Sequence, residues 1–313
     1  MKKKKTSATR DPESEAAALA AWGVGECVDI GANLQSRGDF GEVCRLVERA
    51  AVAGVSRVVL TGCDVEGSRK GAAYCEEWAA RRNEQQRLYC TAGVHPHDAK
   101  DWDGDAEAAI REVARSPYCV ALGETGLDYD RMFSPRETQL EVFRAQAELA
   151  KTLDMPLFVH CREKDEGEPL GAYADAVRIL NEVGVEPAAC CVHCFTGNST
   201  ELRLVREFGA YVGVTGFVGI AKRCGPTVEA LRAEGPRILD ALMIETDAPF
   251  MMPDKAWIPA RKELGIRGGK NEPAALPGVA RALAAALGGG GVVEPSHVAG
   301  VTTQNARRFF RWG

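Results

Sequence analysis

The chain predicts an α/β protein, a single (β/α)8 TIM barrel, on three observations. Eight short apolar runs recur along its 313 residues, helix-patterned segments separate them, and most runs end in a histidine, asparagine or carboxylate. Parallel strands covered by helices on their outer face read as near-continuous apolar stretches and need helical crossovers between them. Eight such units favour closure into a barrel over an open sheet, and a barrel of ~250 residues is one ordinary domain.

Residues 1–24 precede the first run. Met1–Lys5 and the alanine-rich Ala16–Trp22 mimic a signal peptide, but Asp11, Glu13 and Glu15 interrupt it. This stretch reads as a tail, disordered or partly helical, ahead of one hydrolase domain spanning 25–313. The strand candidates then follow in order: Glu26–Leu34, Arg57–Thr61, Leu88–Val94, Val120–Gly123, Leu157–His160, Ala189–His193, Ala210–Thr215 and Leu242–Thr246. After the fourth, Ser134-Pro135-Arg136-Glu137 has the spacing of a capping box with proline at the first helical position. Asn198 and Glu201 repeat that spacing after the sixth. Gly288–Gly291 follows a helix rather than a strand, so it reads as a helix stop and not as a phosphate loop.

Composition excludes several classes. No apolar run approaches the ~20 residues that cross a bilayer, so no membrane partner is expected. A net charge of −5 argues against a protein that coats nucleic acid non-specifically, though not against an enzyme with one basic groove. Eleven cysteines, an odd number scattered through apolar runs, do not make a secreted disulfide framework. They read as reduced thiols in a cytoplasmic or nuclear protein.

The strand ends carry the chemistry. Asn33 ends the first run, His95 and then His97 follow the third, and Glu124 the fourth. His160 ends the fifth, His193 the sixth, and Asp247 follows the eighth. In a barrel these ends converge on one face, where active sites form. Alternation places Phe158 with His160, Leu122 with Glu124, and Cys191 with His193 on common strand faces. A lone histidine is more often structural. Glu124, His160, His193 and Asp247 together make a divalent-metal site with positions open to water. The CxxC of "ACCVHCFTG" (189–197) has no second pair for a zinc knuckle, and it straddles a strand end rather than a helix start. His193 is therefore the functional residue there, and Cys191 and Cys194 read as packing.

The motifs "AGVHPHD" (92–98), "LGETGLDYD" (122–130), "PLFVHCRE" (156–163), "VHCFTG" (192–197), "IETDAPF" (244–250) and "NEPAALP" (271–277) appear together in order. In these the chain resembles the TatD family of metal-dependent deoxyribonucleases, from about Cys27 to Phe310. The resemblance implies an amidohydrolase-like barrel that hydrolyses DNA phosphodiester bonds with one or two divalent ions (Mg, Mn or Zn). It implies a 3′–5′ exonuclease on single-stranded DNA, with DNA as partner and no obligate protein partner. In the family's motifs the positions of Glu124, His160, His193 and Asp247 are metal ligands, and that of His95 lies beside the metal. Most members carry H-x-H on strand one; Asp29-Ile30-Gly31-Ala32-Asn33 resembles the D-x-G-x-N branch, leaving Asn33 as a neutral candidate beside the site.

Under this reading a divalent ion lowers the pKa of its water and neutralises charge on the phosphate. Glu124 and Asp247 are the catalytic carboxylates, Asp247 orienting or deprotonating the water, with Glu245 behind them. Asp128 and Thr125 read equally as turn formers or substrate contacts. Substrate grip falls to Arg162 after the fifth strand, to Lys222 and Arg223 after the seventh, and to Arg261, Lys262 and Arg267 after the eighth. Trp257 is available there to stack on a base. Two rivals are a different metal hydrolase on the same fold, cutting an amide, ester or aminoacyl bond, and a non-catalytic scaffold.

Overall fold

The computed structural model describes residues 23–36, 38–81, 87–164, 170–259, 261–266, 269–288 and 293–312. The tail expected over 1–24 thus lies almost wholly outside the described residues, as do Arg267 and Gly289–Gly291. Eight strands run in sequence order, each parallel to the next: β1 (Cys27–Ala32), β2 (Val55–Leu60), β3 (Leu88–Ala92), β4 (Cys119–Asp128), β5 (Leu157–Arg162), β6 (Cys190–Val192), β7 (Tyr211–Val214) and β8 (Leu242–Ile244). After them come α1 (Phe40–Val52), α2 (Val65–Arg81), α3 (Gly104–Val113), α4 (Arg136–Thr152), α5 (Ala172–Val183), α6 (Ser199–Phe208), α7 (Gly225–Glu234) and α8 (Leu276–Leu287), one per strand. A further helix, α9 (Pro295–Phe309), ends the fold. The barrel closes between β1 and the residues just past β8. Ala32 bridges Ala248, Asp247 N–H donates to Gly31 O at 2.9 Å, and Asn33 N–H to Ala248 O at 2.7 Å.

Two apolar layers follow from strand alternation. Val28, Ile30, Val59, Ala121, Phe158, Cys191 and Met243 fill the barrel interior, which Phe309 and Phe310 close as a floor. Trp312 packs below them at 4.7 Å from both Phe310 and Tyr89. The outer layer, where Leu122, Val159, Val192 and Val212 meet helix residues such as Phe143, Leu202 and Leu283, holds the helices on the sheet. No described helix is long and apolar enough to cross a membrane.

Two sequence expectations require correction. Leu122 and Glu124 do not share a strand face. Leu122 packs in the outer layer, and β4 changes register against β5 between Leu122 and Thr125, where Gly123 adopts φ 120°. This bulge turns Glu124 into the barrel mouth, and a Cβ on Gly123 would overlap the Phe158 carbonyl. Ser134 does not cap α4 either. Its hydroxyl donates to His97 O at 2.8 Å and accepts Lys100 N–H at 3.1 Å, so it anchors the loop after β3. The box at Asn198 and Glu201 does form, with both reciprocal bonds at the start of α6, and Gly288 ends α8.

Candidate active site

Each functional side chain is delivered to the mouth by the end of a strand. His95 opens a short 3-10 turn, Pro96–Asp101, and accepts His97 N–H at Nδ1, which aims its Nε2 inward. Glu124 arrives through the β4 bulge and His160 from β5. His193 follows β6, where Cys194 turns the chain at φ 46°; Asp247 turns it after β8 at φ 50°. Left-handed backbone at non-glycine residues is costly and gathers where structure serves function.

Three imidazoles converge on one oxygen. Glu124 Oε1 lies 2.9 Å from His160 Nδ1, 2.8 Å from His193 Nε2 and 3.3 Å from His95 Nε2. His95 Nε2 and His160 Nδ1 are themselves 3.3 Å apart. The other Glu124 oxygen faces Cys63 Sγ at 3.4 Å, and that sulfur is 3.1 Å from Asn33 Oδ1. Asn33 Nδ2 donates to Asp247 Oδ1 at 2.8 Å, and Cys194 Sγ stands 3.7 Å from Asp247 Oδ2. Behind this ring, Asp128 Oδ2 pairs with His97 Nε2 at 2.8 Å and His160 Nε2 at 3.3 Å, while its Oδ1 accepts Asp130 and Arg131 N–H. Glu245 accepts Cys194 N–H at 2.5 Å and lies 3.4 Å from His193 Nδ1.

The charges in the cluster follow from burial opposed by neighbours. Burial alone would raise the Glu124 pKa, but His193, His95 and the hydrogen bonds from His160 and His193 hold it well below the carboxylate range. Burial would likewise discharge His160 and His193; Asp128 and Glu124 beside the first, and Glu124 and Glu245 beside the second, outweigh it and raise both. His95 goes the other way, to about 4, because burial and the neighbouring rings of His160 and His97 exceed the pull of Glu124. Burial lifts Asp247 to about 7, against His193 and with the repulsion of Glu124 and Glu245. A carboxylate and a neutral imidazole side by side, with a second carboxyl poised near neutrality, can bind a cation and move a proton.

The donor spacing fits a divalent metal. His95, Glu124 and His160 offer ligand atoms within 4.8 Å of one another. Their observed separations of 2.9–3.3 Å match the edge of roughly 3.3 Å that a tetrahedron with ~2.0 Å bonds requires. The sequence reading placed His95 beside this set; the geometry puts it within the set, level with His160.

A cavity of ≈ 520 Å³ opens over the cluster, lined by Asn33, His95, Glu124, His160, His193 and Asp247, and also by Arg131, Arg162 and Arg223. Lys222, Arg261 and Lys262 do not line it; Arg261 Nε donates instead to Ile266 O of its own loop, at 3.3 Å. Trp257, expected to stack on a base, is partly buried against the outer core with its ring over Gly219. Cys191 is fully buried in the interior layer, but Cys194 lines the cavity and is not simple packing. Cys63 and Arg131 escaped sequence reasoning: Cys63 reads with the other thiols as packing, and Arg131 directly follows the 122–130 motif without belonging to it. Gly31 and Gly213 carried a signal that was missed: added Cβ atoms there would overlap or crowd the Glu245 carboxylate, so both glycines make the slot it occupies.

A parallel eight-stranded barrel with a histidine–carboxylate cluster at the C-terminal mouth is the framework of a metal-dependent hydrolase. Residues 28–311 match the family described as TatD related DNase, and the chain belongs to that family. It is 37% identical over 284 residues to the 3'-5' ssDNA/RNA exonuclease TatD of Rahnella sp. (strain Y9602), covering 90% of this chain and 97% of that protein. The protein of the same name from Erwinia tasmaniensis is 35% identical over 285 residues, 90% and 98% of the two chains. Among solved structures, a TatD homologue from Escherichia coli K12 superposes with a TM-score of 0.74 at 22% identity, over 92% of this chain and 98% of that one. A TatD family hydrolase from Entamoeba histolytica gives 0.73 at 22% identity, over 91% and 98%. The family implies a divalent metal and a nucleic acid substrate.

Proposed function

We propose that the chain is a 3′–5′ exonuclease that hydrolyses phosphodiester bonds of single-stranded DNA, with RNA as a second substrate. The carrying observation is the meeting of three imidazoles on Glu124 Oε1 beneath a cavity that Arg131, Arg162 and Arg223 also line. His95, Glu124, His160 and His193 are the residues that would hold the ion, with Cys63 at the second oxygen of Glu124 and the bonded pair Asn33 and Asp247 beyond it. When bound, a Mg, Mn or Zn ion supplies Lewis acidity to the phosphate and acidity to water. The chain does the rest. The arginines hold the anionic backbone, Asp128 and Glu245 fix the rings of His160 and His193, and Asp247 takes the proton of the attacking water. We place the catalytic unit at 25–313, and its eleven free thiols suit the reducing cytosol.

Digestion of 5′- and 3′-labelled single strands, after chelation and with Mg, Mn or Zn restored, tests this reading. The expected result is a ladder of mononucleotide release from the 3′ end, abolished by chelator and restored by metal. Turnover of a small ester or amide with no polynucleotide cleavage would replace it with another hydrolase of the same fold.

A further inference from the structure

Four large apolar side chains stand exposed among the described residues: Met132, Phe133, Leu170 and Phe250. All four sit in loops that follow β4, β5 and β8, and therefore on the face that carries the cluster. Scattered exposure needs no explanation, but exposure confined to one face marks a contact surface. Phe133 is 61% exposed and stands edge-on to His97, ring centres 4.7 Å apart at 89°; His97 lines the cavity. Phe250 is 46% exposed and lines the cavity itself, three residues past Asp247. Three arginines share that cavity with the Phe250 ring, and Phe133 stands beside it against His97.

We propose that Phe133 and Phe250 are base-stacking platforms that grip the terminal bases of a single strand while Arg131, Arg162 and Arg223 hold its phosphates. The proposal rests on the nuclease reading and assigns its strand preference to two residues. A cavity of ≈ 520 Å³ lies in the range that encloses one small ligand; neighbouring bases must then be received at the rim, where these rings are. Every base offers a π face, so stacking tolerates any sequence. Bases within a duplex have both faces covered, so the rings select unpaired ends.

The experiment crosses protein variants with substrate variants. Single strands ending in two natural nucleotides, or in two abasic ones, at both termini are digested with Mn²⁺ by the wild type and by Phe133→Ala, Phe250→Ala, Phe133→Leu and Phe133→Trp. Stacking of ~1–3 kcal/mol per base predicts a Michaelis constant raised roughly 5- to 150-fold when either the ring or the base it stacks on is removed. Removing both should add little further, because the two losses are one interaction. Phe133→Trp should retain the discrimination between strands, and Phe133→Leu should lose it. If Phe133 only buttresses His97, leucine will rescue the enzyme and alanine will impair both strands alike, which overturns the proposal. Equal cleavage of natural and abasic strands by the wild type also overturns it while leaving the nuclease reading intact. Failure of the wild type to cut any polynucleotide removes both.

Discussion

Asp247 is half-buried, bonded to Asn33 Nδ2, and has its pKa lifted to about 7, so one substitution read against metal concentration can tell a base from a ligand. Asp247→Asn keeps the shape and an oxygen but can neither accept a proton nor carry charge. If Asp247 is the base, the variant retains metal and DNA affinity and loses the chemical step by ~10²–10⁴-fold. If it is mainly a ligand, excess metal restores part of the rate; activity measured against metal concentration decides, and wild-type activity throughout would remove Asp247 from the site. Asp29 offers a second test at this scale. Burial raises its pKa to about 8, against its bonds from Thr246 and with repulsion from Glu245. The folded chain therefore holds a proton that the unfolded chain, at the ordinary 3.8, releases. The stabilisation is full below about pH 4 and is lost as pH rises through 8. Asp29→Asn preserves an acceptor for Thr246 N–H and, once the Thr246 hydroxyl turns to accept, a hydrogen bond to its Oγ1, so urea midpoints should become flatter between about pH 4 and 8. An unchanged slope would show that Asp29 is ionised in the fold.

The strands were legible because each is a buried apolar run that stops at a polar residue, and that contrast does not depend on distant neighbours. What escaped the sequence was set by contacts made elsewhere. Glu124 reaches the mouth because of a bulge whose cause, the register of β4 against β5, exists only once the two strands pair. Ser134 has the right spacing for a cap but meets the β3 loop first. Arg261 and Lys262 look like a basic grip, yet neither side chain lines the cavity. Strand β1 yields a prediction of the same kind. Gly31 is not a ligand, but a Cβ there would overlap Glu245 Oε2. Gly31→Ala should cost about 1–3 kcal/mol by overpacking and, by moving the Glu245 carboxylate off His193, should weaken metal binding. Urea unfolding and a metal titration of the variant check both halves; intact metal affinity would show that Glu245 does not position His193.

The whole molecule depends on α9 as much as on its strands. Phe309 is 2% exposed and closes the barrel floor with Phe310, so Phe309→Ala should cost about 3–5 kcal/mol and lower the urea midpoint with little change in the Michaelis constant, since the floor lies opposite the mouth. A variant that loses substrate affinity at full stability would contradict that division of labour. The seam between β1 and β8 carries a different consequence, one of timing. Asp29 is buried against Thr246, 217 residues later. Domains begin to fold from the N-terminus as synthesis proceeds. A nascent chain that has formed β1 through β7 still presents an open sheet edge and a carboxylate whose partner has not been made. Asp29 then remains in water, ionised, and keeps that edge charged against association with other chains. Closure buries it, and burial discharges it even against the bonds from Thr246, so that the ring shuts on a neutral group.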